Sequence, residues 1–246
     1  MASLLIKKLE QFAALSESDR LALDSITSSA RTKTVAADED IVRDGDRPSE
    51  CSLILEGFAC RYKLLPSGKR QIMSFHLPGD ICDLHGLLLG ALDHSIGALE
   101  PTTVAVLPHA LLRDLIQHYP GIVQAFWQDT LIDSAVFREW MVGLGRRSAY
   151  RRIAHLFCEL LVRFKSVGLA PNGSLGLPLT QEELGDALGL STVHVNRVFQ
   201  ALRADGLITL QGGKLTINDW EGLQEAGEFE PNYLRLPHGA PAQLTA

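Results

Sequence analysis

The stretch whose reading decides the fold runs from Leu179 to Ile217, LTQEELGDALGLSTVHVNRVFQALRADGLITLQGGKLTI. Thr180 followed by Glu183 is a capping-box pair, in which each side chain satisfies the other residue's backbone donor. It predicts a helix over Gln181–Leu188 with Leu184, Ala187 and Leu188 inward. Gly189 supplies a tight turn, because a residue without Cβ adopts positive φ cheaply. Ser191 then caps a second helix, Thr192–Ala204, whose Val195, Val198, Phe199 and Leu202 recur on a core face. Leu207–Leu210 and Leu215–Ile217, joined by Gln211-Gly212-Gly213, read as a two-stranded wing.

The same spacing leaves Thr192, Val193, His194, Asn196, Arg197, Gln200 and Arg203 near one exposed face. A helix of this size fits the major groove of duplex DNA. Arg197 carries the fork that matches guanine O6 and N7, and Asn196 suits adenine or a phosphate. Lys214 in the wing can reach phosphate. With the caps Thr180 and Ser191, these are the expected DNA-binding residues. The alternative is a helix pair with a polar face that meets no DNA.

Charge supports the first reading. The chain carries a net −6, which alone argues against nucleic acid. Residues 146–219, however, hold nine bases against six acids, a net +3 beside −9 for the rest. An acidic part is joined to a locally basic one.

Upstream, Leu4, Leu5, Leu9 and Phe12 have helical spacing, and Ser16 with Asp19 opens a second short helix carried by Leu21, Leu23 and Ile26. From Thr32 to about Pro108 short apolar runs alternate with turn signals such as Glu56-Gly57, Pro66-Ser67-Gly68 and Pro78-Gly79-Asp80. Strands at such intervals predict an all-β roll or barrel, interrupted by one short helix within Leu84–Leu92. A short helix His109–His118 and a long one starting at Pro120 follow. In the long one, Tyr119, Val123, Phe126, Thr130, Asp133, Phe137, Trp140 and Leu144 step by four and three, a heptad-like seam. Seven of them, Val123 to Leu144, are the expected dimer interface; a helix packed on its own domain is the bland alternative. Gly143, Gly145 and Arg146-Arg147 read as a hinge, followed by a helix Tyr150–Val167 and a loop from Gly168 to Ser174. Trp220–Leu236 has no clear assignment, and Pro237–Ala246 reads as a disordered end.

The 246 residues suffice for a real core and one to two domains. With 46% apolar and 21% charged residues, a largely disordered chain is excluded. No apolar run approaches the ~18–20 residues of a membrane span; the longest, Leu87–Leu92, is short and contains Gly90. The start, MASLLIKKLEQ, has charges where a signal peptide is apolar, so a cytoplasmic protein with no membrane partner is expected. Cys51, Cys60, Cys82 and Cys158 form no CxxC pair and read as buried free thiols. No His-x-His pair, nucleophile elbow or phosphate loop is present, and an enzyme is not expected.

At this point the sequence resembles the Crp/Fnr family of bacterial transcription regulators over about residues 5–217. The specific part is GLSTVHVNRVFQALRADGLI, close to the family's recognition segment. Gly57, Gly68 and Pro78-Gly79-Asp80 carry the match in the roll. The resemblance implies an α+β chain: an N-terminal β-roll of double-stranded β-helix or jelly-roll type (1–118), a long dimerisation helix and hinge (119–146), a C-terminal winged helix-turn-helix (147–219) and an extension (220–246). It implies a homodimer on a palindromic duplex, with RNA polymerase as a further partner. The family commonly reads cytosine with a glutamate where this chain has Val193, which accepts no hydrogen bond. Arg197 matches the family's guanine-reading arginine, and Asn196 stands where many members have serine.

The family's phosphate cassette places a glycine, a glutamate and, about ten residues later, Arg-Ser or Arg-Thr after Gly-Asp. Here Gly79-Asp80-Ile81 leads into Cys82-Asp83-Leu84, and the arginine slot falls near His94-Ser95. Cys82 adds a side chain where backbone must approach phosphate, and Asp83 is a shorter carboxylate. No arginine occurs between Arg70 and Arg113, and neutral histidine poorly replaces a permanent cation. Gly79, Cys82, Asp83, Leu84, His94 and Ser95 are thus the expected effector pocket, with cAMP not expected and an unknown small molecule, or none, preferred. Iron–sulfur sensing in this family uses clustered N-terminal cysteines, absent before Cys51. His76, His85 and His94 read as ordinary histidines rather than a metal or haem set. A cyclic-nucleotide-responsive regulator with a variant cassette and a signalling module that binds no DNA are the alternatives.

Overall fold

The computed structural model describes residues 3–170 and 172–236; the expected disordered end, Pro237–Ala246, lies outside them. The described residues form two compact units, one of residues 3–64 and 73–134 and the other of 65–72, 135–170 and 172–236.

In the first unit, α1 (Leu4–Leu9) and α2 (Glu17–Ser29) are amphipathic helices. The Ser16–Asp19 capping box that starts α2 is fully formed. The strands β1 (Arg31–Val35), β2 (Asp40–Val42), β3 (Glu50–Glu56), β4 (Ala59–Leu64) and β5 (Arg70–His76) follow. A four-residue helix, α3 (Gly86–Leu89), precedes β6 (Ser95–Ala98) and β7 (Thr102–Pro108). Two antiparallel sheets result, in the orders β1-β7-β3 and β2-β6-β4-β5. Register is set by apolar pairs such as Cys51 opposite Leu107 and Ile54 opposite Val104. This is the expected roll. Its outer apolar layer packs against α1, α2, α4 (His109–His118) and the first turns of α5 (Pro120–Arg146), with Leu9, Leu23, Leu112 and Ile122 fully buried.

Pro120 opens α5 as predicted, since the first helical turn needs no donor there. Gly143 and Gly145 do not break it. The helix runs through both to Arg146, and the turn lies at Arg147-Ser148. Ser148, whose side chain accepts from the Arg151 amide, caps α6 (Ala149–Ser166).

In the second unit α6 is the central helix, with twelve of its eighteen residues buried. Around it lie β8 (Ser174–Gly176), α7 (Gln181–Leu188), α8 (Thr192–Ala204), β9 (Ile208–Gln211), β10 (Lys214–Ile217) and α9 (Trp220–Gly227). Two features depart from the sequence reading. The wing has three strands, ordered β8-β10-β9, because Ser174, expected as the end of a loop, opens a strand to Gly176 that pairs with Lys214–Thr216. The extension continues the fold: Asp219 caps α9 through the Gly222 amide, and a 3₁₀ turn, Pro231–Leu234, follows.

Candidate nucleic-acid interface

The predicted helices α7 and α8 have the predicted bounds. Thr180 Oγ1 accepts from the Glu183 amide at 3.1 Å, and Glu183 Oε2 accepts from the Thr180 amide at 2.7 Å. Gly189 is left-handed, with φ 64°. Gly185 is a requirement the sequence reading missed. A Cβ there would sit 2.5 Å from the Leu190 carbonyl oxygen, so glycine alone lets the turn close on α7. Ser191 Oγ accepts from the His194 amide at 3.3 Å and starts α8.

Val195, Val198, Phe199 and Leu202 face inward, each 6% exposed or less. The ten expected DNA-binding residues, Thr180, Ser191, Thr192, Val193, His194, Asn196, Arg197, Gln200, Arg203 and Lys214, are all exposed. Six residues line one shallow concavity: Gln181, Thr192, Val193, Asn196, Arg197 and Gln200. Gln181 is the addition. It is the first residue of α7, and its Oε1 accepts from Asn196 Nδ2 at 3.4 Å, while Asn196 Oδ1 accepts from Gln200 Nε2 at 3.0 Å. Its signal was its place beside the capping residue, where the first turn of α7 meets α8.

The face is not uniform. Arg203 Nη2 donates to the Leu210 carbonyl at 3.3 Å, tying α8 to the wing. Among the described residues Arg197 and Lys214 have no hydrogen-bond or ion-pair partner. Two exposed cations without intramolecular partners beside a row of amides form a surface for an anionic, hydrogen-bonding ligand.

The expected dimer and effector residues are redistributed. Phe126 and Trp140 are 5% and 8% exposed, buried in the chain's own cores, and offer no side-chain surface to a partner. Asp133 accepts from Arg61 Nη1 at 2.6 Å. Thr130 donates to the Phe126 carbonyl, Val123 and Phe137 are half-buried, and Leu144 is exposed. The apolar surface of α5 lies one residue later, where Pro120, Trp127, Leu131 and Met141 keep the four-three step. Trp127 is 68% and Met141 71% exposed. The cause is the competing demand of the chain's own cores for the seam as first read.

In the roll, Gly79 abuts the Leu4 backbone. Cys82 is fully buried and its thiol donates to the Ser52 carbonyl. Asp83 is 2% exposed and accepts from the Ser52 amide at 2.7 Å; burial pushes its carboxyl up to about 6. Leu84 is half-buried against the outer core. His94 pairs with Asp93 at 2.7 Å, and its Nε2 lies 3.2 Å from that of His85. Ser95 Oγ accepts from the Asp44 amide. The cation beside this loop is Arg61 on β4, 5% exposed, whose Nη2 donates to the Cys82 carbonyl at 3.0 Å. Among the described residues no three His, Cys, Asp or Glu side chains converge as a metal set, and no helix is long and apolar enough to cross a membrane.

Comparison with known proteins agrees with both units. Residues 151–226 match the Crp-like helix-turn-helix domain and residues 32–119 the cyclic nucleotide-binding domain. The chain is 31% identical over 190 residues to the nitrogen fixation regulation protein FixK of Bradyrhizobium diazoefficiens, covering 76% of this chain and 75% of that one. It is 29% identical to the transcriptional activator protein FnrA of Stutzerimonas stutzeri, covering 85% of each. Among solved structures, FixK2 from Bradyrhizobium japonicum aligns with a TM-score of 0.71 at 27% identity, over 80% of this chain and 96% of that one.

Proposed function

The chain belongs to the Crp/Fnr family of transcription regulators, whose members bind DNA and act as dimers, and from that premise we propose how this member reads its site. The helix α8 enters the major groove. Arg197 takes the guanine O6/N7 pair, and Val193, 69% exposed, presents its methyl groups to a thymine methyl in place of an acidic contact to cytosine. Asn196 and Gln200, fixed to each other and to Gln181, supply amides to base edges or phosphate. Lys214 reaches phosphate from the wing. The observation that carries this reading is the unpartnered Arg197 guanidinium on an exposed helix whose opposite face is buried.

Two copies pair along the Trp127–Leu131 face of α5, presenting two α8 helices to half-sites ~34 Å apart. The occupant of that face is a second copy of the chain, and RNA polymerase is the further partner through which a bound dimer acts. The roll does not suit cAMP. Asp83 is engaged with the Ser52 amide instead of being presented to a ribose hydroxyl, and Arg61 is held by Asp133. Any effector is a different small molecule, and no iron–sulfur cluster or haem enters this reading.

Selection of bound sequences from a random duplex pool by the purified protein, with nothing added, tests this. A two-fold palindrome with a guanine in each half-site is expected. Recovery of no enriched sequence by a folded dimer would overturn it. In calorimetry, cAMP is expected to give no binding heat and to leave DNA affinity unchanged.

A further inference from the structure

The matched helix-turn-helix ends at residue 226, yet the residues just beyond it are built into the interior of the unit. Phe229 is 1% and Leu234 3% exposed. Gly227 lies so close to α6 that a Cβ would meet the His155 backbone nitrogen at 2.6 Å, which makes glycine obligatory where the extension turns back. From there the chain places one hydroxyl in a buried polar knot. Tyr233 O–H donates to Glu159 Oε2 at 2.7 Å, and Trp140 Nε1 donates to the same oxygen at 3.1 Å. Glu159 is 0% exposed and also faces Arg163. His155 bonds the Gly227 carbonyl through Nδ1 and the Tyr233 hydroxyl through Nε2, both at 3.1 Å. Outside this knot, Glu228 bridges Arg151 at 2.8 Å and Arg147 at 3.5 Å, and Arg147 also holds Glu139.

These contacts join three elements. Trp140 and Glu139 are on the last turns of α5, His155 and Glu159 are on α6, and Tyr233 and Glu228 come from the extension. Arg147 is the turn itself. We propose that Tyr233 is a positioning residue for DNA binding: its hydroxyl, packed against His155, gives its one proton to Glu159 and so sets the angle at which α5 meets α6.

The inference rests on the dimeric reading above. If two copies pair along α5, the α5–α6 joint decides how far apart, and in what rotational phase, the two recognition helices stand. One base pair changes that relation by about 3.4 Å and about 35°, so a rigid joint discriminates half-site spacings and a loose one does not. The buried Glu159 carboxylate loses a charge-assisted bond when the tyrosine hydroxyl is removed.

The test uses the full chain and synthetic duplexes carrying the selected palindrome with its best spacer and with one base pair added or removed. Wild type should discriminate among the three. Tyr233→Phe keeps the ring and its packing but lacks the hydroxyl. It should reduce the spacer discrimination about three- to tenfold while the thermal midpoint moves by only a few degrees. Glu228→Ala, on the exposed side of the same joint, should loosen it in the same direction and keeps the test open if Tyr233→Phe fails to fold. Unchanged discrimination, or an equal loss on all three duplexes, would overturn the proposal. A wild-type chain that selects no palindrome would overturn the dimeric reading instead.

Discussion

Arg61 on β4 donates to Asp133 on α5 at 2.6 Å and to the Cys82 carbonyl at 3.0 Å, so one buried guanidinium fastens both the expected effector loop and α5 to the roll. One helical turn earlier Lys8 does the same for α1, with Asp129 at 2.7 Å and Asp80 at 2.8 Å. The roll thus grips the helix through its own side chains. Removing one partner of such a pair leaves a charge without compensation. Arg61→Ala should destabilise the roll by about 2–4 kcal/mol, below the fully buried range because Asp133 keeps about a third of its side-chain exposure. Arg61→Met with Asp133→Leu should recover most of that loss. Urea titration of the three proteins checks both.

Asp83 gives a pH prediction with a definite sign. Burial raises its carboxyl to about 6 from an ordinary value of 3.8. A group whose folded pKa is raised contributes stability when protonated, and that contribution is lost as pH rises from about 4 through about 6. His76 and His85, each lowered to about 4 by burial, act oppositely: they cost stability as pH falls from 6.5 through about 4. The two effects overlap, so the difference between variants is the useful quantity. Asp83→Asn keeps the acceptor for the Ser52 amide and removes the buried charge. It should stabilise the protein by about 1–3 kcal/mol at pH 7 and by nothing at pH 4. Thermal melts at the two pH values decide it.

How much of this was legible depended on how local the determining physics is. Capping pairs span three residues, so Ser16–Asp19 and Thr180–Glu183 fixed helix starts that the structure reproduces. The turn at Gly189 and the inward face of α8 are equally local. The heptad-like step along α5 carries no mark of which residues the chain's own cores take: Phe126 and Trp140 are claimed by packing and polar partners that lie far away in sequence. Arg61 is a charged residue in a strand whose partner is seventy-two positions on, which no pattern in β4 announces. Ser174–Gly176 is too short to show an alternation. The extension did carry a sign, Asp219 three residues before Gly222, that went unread.

The glycines separate two kinds of requirement. At Gly185 a methyl group would meet backbone that cannot move, so Gly185→Ala should unfold the helix-turn-helix locally and abolish DNA binding. At Gly145, inside α5 with nothing within 4 Å of a built Cβ, alanine meets no obstacle and lowers the entropy of the unfolded chain. Gly145→Ala should stabilise by about 0.5–1 kcal/mol. Circular dichroism during heating distinguishes the two variants.

On the DNA face, specificity and affinity should separate by residue. Arg197→Ala should cost about 1–3 kcal/mol of discrimination at one base pair per half-site, and Arg197→Lys should not restore it, since the fork geometry is lost. Lys214→Ala should weaken all duplexes alike and reduce the salt slope by about 1 per protomer. Val193→Glu should move the preference at its base toward cytosine while leaving stability within about 0.5 kcal/mol, as befits an exposed position. Binding titrations on single-base variants of the selected site, at two salt concentrations, measure all three.

The face of α5 around Trp127 supplies the last prediction. Ile116, Val123 and Leu131 surround Trp127, an aromatic side chain 68% exposed beside other apolar groups. Large apolar patches of this kind mark association surfaces, and an aromatic at the centre of one usually carries much of the binding energy. Trp127→Glu removes no intrachain core contact of the kind Phe126 makes, so the monomer should stay folded. It should sediment as a monomer at micromolar concentration and lose the palindrome while keeping weak, salt-sensitive binding to a half-site. Phe126→Glu, one residue earlier, should unfold the roll instead. A Trp127→Glu protein that remains dimeric would place the interface elsewhere.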